Sequence, residues 1–171
     1  MKRMFVGLFS AAVFVAFAMN AYAANARGNA KLELNGKTVT VDYGKPALNG
    51  RKVEDLLGQL PAGEVWRLGA DKSTTFTTTG DLKFGDTTIP KGEYSLWARK
   101  DSDGSWKLVF NKQHGQWGTN HDATQDLAVV PMKEEKEGKA AETVEITLEK
   151  ENGAGEISVA WGTMELSATF K

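Results

Sequence analysis

From residue 37 onward, apolar and polar residues alternate in short runs, and this period of two is what most narrows the possible folds. In an extended strand successive side chains point to opposite faces, so such runs suit half-buried β-strands and do not suit helices. Lys37 to Tyr43 sets Val39, Val41 and Tyr43 against Thr38, Thr40 and Asp42. The same alternation recurs over 105–110, 143–148, 156–161 and 165–170, and further strands are expected at 64–68, 73–79, 81–84, 92–99 and 127–132. Turn residues separate the runs: Asn35-Gly36, Asp103-Gly104 and Asn152-Gly153 suit tight hairpins, and Pro90 to Gly92 opens another strand. The expected fold is an all-β, antiparallel β-sandwich of about eight to ten strands, with one short helix near 51–57. Its core should draw on Tyr94, Leu96, Trp106, Leu108, Phe110, Val144, Ile146, Leu148, Ile157, Val159, Trp161, Leu166 and Phe170. Residues 24–30 show no periodicity and read as a flexible lead-in, and the charged stretch 134–141 reads as a solvated loop.

The first 23 residues obey another logic. Lys2 and Arg3 precede an apolar stretch of 15 residues, Met4 to Ala18, and Ala21-Tyr22-Ala23 gives the small-x-small pattern of a cleavage site. This is the layout of a secretory signal peptide over 1–23, whose apolar run falls short of the roughly 20 residues of a membrane anchor. The mature chain is expected to form one domain over 31–171, periplasmic or secreted, with no membrane insertion after cleavage. An outer-membrane barrel is disfavoured, because its strands run to about 9–11 residues with aromatic girdles at both rims. Cleavage would leave 19 basic against 22 acidic side chains, which gives no reason to expect a nucleic-acid partner. The absence of cysteine excludes disulfides, thiol catalysis and cysteine–zinc sites.

Few residues carry a recognisable chemistry. Asp101-Ser102-Asp103-Gly104 begins like a calcium loop but runs straight into a strand, so a hairpin turn is expected. His114 and His121 are seven residues apart, wider than the usual zinc pair; Asp122 and Asp126 could add oxygen ligands, but loop histidines without a metal role fit better, so no metal and no cofactor are expected. No nucleophile elbow and no phosphate loop occur. Two stretches stand out. In Gly63 to Asp71, alternation puts Arg67 with Val65 on one face and Trp66 with Leu68 on the other. Arg67 then either closes an ion pair with Asp42, Glu64 or Asp71, or serves as a forked anion binder. In Asn111 to Gly118, Trp117 sits between Gln116 and Gly118 on a polar loop, either as a sugar or peptide platform or as a plug for the end of the sandwich.

Together with Asp42 to Pro46, Asn49 to Arg51 and Gly92 to Tyr94, these stretches resemble the bacterial family labelled domain of unknown function 2911. Its members show a strand ending Asp-Tyr-Ser/Gly-Arg-Pro, a Lys-Gly-Arg turn, Gly-x-x-Trp-Arg-x-Gly-Ala-Asn, a Gly-x-Tyr strand and Asn-(x)4-Gln-Trp-Gly. The match spans about 30–171 in the same order, with Lys45 in place of arginine, Asn49 in place of lysine and Asp71 in place of asparagine. The resemblance implies an exported, mostly β domain and implies no activity.

Three functions are compatible with these residues. The leading one is a non-catalytic binding module for a polar small molecule, glycan or protein, using Asp42, Tyr43, Arg67, Asp71, Asn111, His114, Gln116 and Trp117. The second is a structural or assembly domain without a ligand site. The third is a hydrolase or isomerase pairing His114 with Asp42 or Asp71 as acid and base.

Overall fold

The computed structural model describes residues 25–136 and 140–171. The expected signal peptide, and residues 137–139 within the expected 134–141 loop, lie outside the described residues. The chain forms β1 (Arg27–Leu34), β2 (Lys37–Gly44), α1 (Val53–Leu57), β3 (Val65–Trp66), β4 (Thr74–Thr78), β5 (Leu82–Phe84) and β6 (Thr87–Ile89). It continues through β7 (Gly92–Lys100), β8 (Trp106–Asn111), a 3-10 turn at Ala123–Gln125, β9 (Asp126–Glu135), β10 (Ala141–Glu151), β11 (Ala154–Gly162) and β12 (Met164–Phe170).

The pairing is antiparallel throughout, in the order β1-β2-β4-β7-β8-β9-β12-β11-β10, with β3 added beside β7. β9 turns the corner: its residues 126–132 pair with β8, and its residues 133–135 pair with β12. The two ends of the sheet approach each other. Leu48 N–H donates to Glu142 O at 2.9 Å and Val144 N–H to Pro46 O at 3.1 Å, so the segment after β2 is stitched to β10. The sheet is nearly closed and barrel-like. The β5–β6 hairpin joins through reciprocal backbone bonds of 2.8 and 2.9 Å between Lys83 and Lys171.

The antiparallel all-β expectation holds, with twelve strands among the described residues rather than eight to ten. All the side chains expected in the core are buried. Phe110 is central to them, with ring centroids of Phe76, Phe84 and Tyr94 at 5.3, 5.1 and 6.2 Å. At the end near α1, Trp66 and Trp161 stack at 5.6 Å.

Three local expectations need correction. Residues 27–30 are not a flexible lead-in; they are the first half of β1, paired with Val41 to Gly44. Backbone pairing needs no apolar alternation, and Gly28 is where the Tyr43 ring lies, since a Cβ there would fall 2.5 Å from it. The expected 134–141 loop is shorter, because β9 runs to Glu135 and β10 begins at Ala141. The expected strand 64–68 contracts to Val65–Trp66, because Leu68 turns left-handed at φ +52° and leaves the sheet. The turns behave as read: Asn35-Gly36 and Asn152-Gly153 both take positive φ at each residue, as tight hairpin turns require. The 101–104 stretch is likewise a turn, with Ser105 N–H donating to Asp103 Oδ1 at 2.9 Å.

Because Phe110 is fully buried among three other rings, Phe110→Ala should lower unfolding free energy by about 3–5 kcal/mol in urea denaturation. A loss under about 1 kcal/mol would show that the ring cluster is not the packing centre.

Candidate functional site

The site begins where two stretches of backbone cross with no side chain between them. At Gly44 a Cβ would lie 2.2 Å from the Ala70 carbonyl oxygen, and at Gly69 a Cβ would lie 3.1 Å from the Gly44 carbonyl. Segment 67–72 therefore passes directly over the end of β2. It does so through two non-glycine residues in the left-handed region, Leu68 at φ +52° and Asp71 at φ +62°. Such a conformation costs about 1–2 kcal/mol per residue, so the surroundings must hold it. Thr74 Oγ1 lies 3.2 and 3.1 Å from the carbonyls of Arg67 and Leu68, and the Leu68 side chain is fully buried.

The same segment anchors the 111–118 loop. Ser73 N–H donates to Gln116 O at 2.9 Å and Gly118 N–H to Asp71 O at 2.7 Å, on either side of a bridge between Lys72 and Trp117. Inside this loop, Gln116 serves the scaffold. Its Oε1 is 3.4 Å from Ser73 Oγ and its Nε2 is 3.3 Å from Ser95 Oγ, which also accepts from Trp97 Nε1 at 2.9 Å. Asn111 is fully buried, donating to Asp122 O at 2.8 Å and to Asp126 Oδ1 at 2.7 Å. Trp117 does not plug the end of the fold, since it is 53% exposed between two backbone-anchored neighbours.

The remaining candidates separate into those already engaged and one that is open. Asp42 pairs with Arg27, and Tyr43 is buried. Asp71 accepts from Asn25 N–H at 2.8 Å. His114 lies 3.2 Å from Glu93, not beside Asp42 or Asp71, so the acid–base pairing expected from sequence does not form. Arg67 has none of its three expected carboxylate partners and no other ion pair among the described residues. Arg67 and the 115–118 loop do come together: a Cβ at Gly118 would fall 3.1 Å from Arg67 Cδ. Asp42 and Asp71 stay with other partners.

Arg67, Trp66, Leu56 and Leu57 form the wall shared by two adjoining hollows beside α1. The larger, about 510 Å³, adds Glu64, Trp97, Thr119 and His121. The smaller, about 380 Å³, adds Asn25, Asn49, Arg51 and Trp161, and no carboxylate lines it. Arg51 is held in place by Nε–H and Nη2–H bonds to the carbonyls of Leu48 and Ala47, at 2.7 and 2.9 Å. Trp161 is buried, and its indole N–H has no acceptor. The smaller hollow thus brings together two cations, Arg51 and Arg67, with no carboxylate among its described lining residues.

Sequence reasoning grouped His121 with Asp126 only as possible metal ligands and missed their direct pairing beside the larger hollow. His121 Nε2 lies 2.9 Å from Asp126 Oδ1, the oxygen that Asn111 also holds, and the His121 ring packs against Trp97 at 4.9 Å. Nearby, the Thr124 hydroxyl and backbone N–H hold the Asp122 carboxyl below the usual carboxylate range. The only signal for the pair was a histidine five residues before an aspartate at the start of a strand, a spacing with no fixed meaning in a loop. Arg51 and Trp161 were visible only as a turn residue and a core residue.

Across residues 25–170 the chain matches the sequence profile described as Protein of unknown function (DUF2911). The protein belongs to this family. Comparisons with curated proteins and with solved structures gave no match. The family motifs expected from the sequence coincide with the crossing: Gly44 belongs to one, Gly69 to a second, and the loop they anchor to a third.

Alanine at residue 44 should drive the 67–72 segment off β2. Gly44→Ala is expected to lose about 1–3 kcal/mol of stability and to speed amide hydrogen exchange at residues 68–73. An unchanged urea midpoint with unchanged exchange would show that the close crossing is absent in solution.

Proposed function

We propose that this protein is a periplasmic or secreted, non-catalytic binding module for a small polar molecule bearing a carboxylate or phosphate group. The observation that carries the reading is Arg67, a cation without a carboxylate partner among the described residues, set on the wall between two hollows. A guanidinium presents a planar fork of donors that matches a carboxylate or phosphate in two parallel hydrogen bonds. Arg51 adds positive potential on one side, while Leu56, Leu57 and Trp66 give an apolar surface for the body of the ligand. Sugar acids and phosphorylated sugars have this combination of an anionic group and a compact polar body.

The alternative that the motifs serve folding alone accounts well for Asn111, Gln116, Asp42 and Asp71, all of which hold backbone or neighbouring side chains. It leaves the open Arg67 unexplained. A second reading, acid–base chemistry, rests on His121, which lines the larger hollow and is held from behind by Asp126. A carboxylate that holds one imidazole nitrogen leaves the other available to take up a proton.

The test is a thermal-shift and calorimetric series with glucuronate, glucose 6-phosphate and inorganic phosphate against uncharged glucose. A ligand at about 100 times its Kd stabilises by about 2.7 kcal/mol, enough for a clear rise in Tm. Anionic probes should raise Tm saturably and glucose should not. Arg67→Ala should abolish the shift, and Arg67→Lys should weaken binding about tenfold through loss of the fork. Equal shifts with glucose, or shifts that survive Arg67→Ala, would contradict the reading. His121→Gln should leave anion affinity within about threefold if the module only binds; loss of turnover of a bound ester or phosphate in that variant would favour the acid–base reading instead.

A further inference from the structure

We propose a second ligand site, on the other side of α1, that takes a free apolar α-amino acid such as leucine. A pocket of about 200 Å³ lies between α1, the facing ends of β7 and β8, and the ends of β9 and β12. Its apolar lining comes from Val53, Leu57, Met164 and the ring of Trp106. Trp106 is 2% exposed, and its indole N–H has no acceptor, although a buried donor left unpaired costs about 1–3 kcal/mol. A residue that lines the pocket thus carries an orphaned donor, which a ligand bringing its own acceptor would satisfy.

The charges around the pocket narrow the ligand further. Lys100, Lys136, Glu54 and Glu134 all line it, and none of them makes an ion pair among the described residues. Lys100 Nζ sits 5.5 Å from the centroid of the Trp106 ring, and among the described residues the Glu54 carboxylate reaches the Thr163 hydroxyl, at 3.3 Å. Two cations and two anions around an apolar floor do not suit a simple anion or a simple hydrocarbon. They suit a zwitterion: a carboxylate for the lysines and the indole N–H, an ammonium for the glutamates, and an apolar side chain for Val53, Leu57 and Met164. The pocket is smaller than the roughly 300–1,000 Å³ of drug-sized sites, which fits a single amino acid better than a peptide. The site shares only Leu57 with the Arg67 hollows.

The experiment is a ¹⁵N-resolved NMR titration of the protein with leucine, reading the indole N–H resonance of Trp106. Leucine should shift that resonance saturably, while leucinamide, which lacks the carboxylate, and 4-methylpentanoate, which lacks the ammonium, should bind at least about tenfold more weakly. Trp106→Phe keeps the apolar wall and removes the donor, so it should weaken leucine binding about tenfold by calorimetry. Lys100→Gln, at the rim, should do the same should the phenylalanine variant fail to fold. Arg67→Ala should bind leucine normally. No movement of the Trp106 resonance at millimolar leucine, as expected if a trapped water satisfies the indole, would overturn the proposal. So would equal binding of leucinamide.

Discussion

A side chain on residue 44 would collide with the Ala70 carbonyl, and much of the site depends on that carbonyl being where it is. With hydrogen at residue 44, the 67–72 segment can lie across the end of β2 at backbone contact distance. This crossing ends β3 after two residues and supplies the carbonyl and N–H groups of Asp71 and Ser73 that anchor the 111–118 loop. Leu68 is held left-handed by the Thr74 hydroxyl and its own full burial, and Asp71 by bonds from the Gly118 and Asn25 N–H groups. A scaffold that gives up stability to hold a turn in one shape fixes the direction of the side chains that leave it.

The features legible in the sequence came from local rules. Alternation located the strands that bury one face, and Asn-Gly pairs located the turns between them, because both depend on residues adjacent in the chain. β1 was half missed because its start contains Arg27, Gly28 and Asn29, which show no apolar alternation. Gly28 is there to make room for Tyr43, a contact between neighbouring strands that one strand alone does not reveal. The near-closure of the sheet was equally hidden, since it rests on backbone bonds from Pro46 and Leu48 to β10, far along the chain.

The candidate site was legible in part for the same reason. Arg67 stood out because a charge shared a strand face with valine, and Trp117 because a tryptophan had no apolar neighbours on its loop. Asn111 and Gln116 looked like ligand-binding amides, yet their partners are Asp126, Ser73 and Ser95, residues that only folding brings near. The same holds for His121, which the sequence set beside Asp126 only as a possible metal ligand, and for Arg51 and Trp161, which meet Arg67 across the smaller hollow. A tertiary polar network leaves no periodic trace in the sequence. Charges that lack a partner within the fold are therefore more informative about ligands than polar residues that have one.

The crossing leaves Arg67 without an ion-pair partner among the described residues, on the wall of two hollows, and the proposed function stands on that. A crystal structure of the ligand-free protein tests it most directly. The expected result is a guanidinium with no carboxylate in hydrogen-bond reach, open to the hollows beside α1, above a Gly44–Ala70 backbone contact. An Arg67 closed in an ion pair with Glu64 or Asp71 would contradict it.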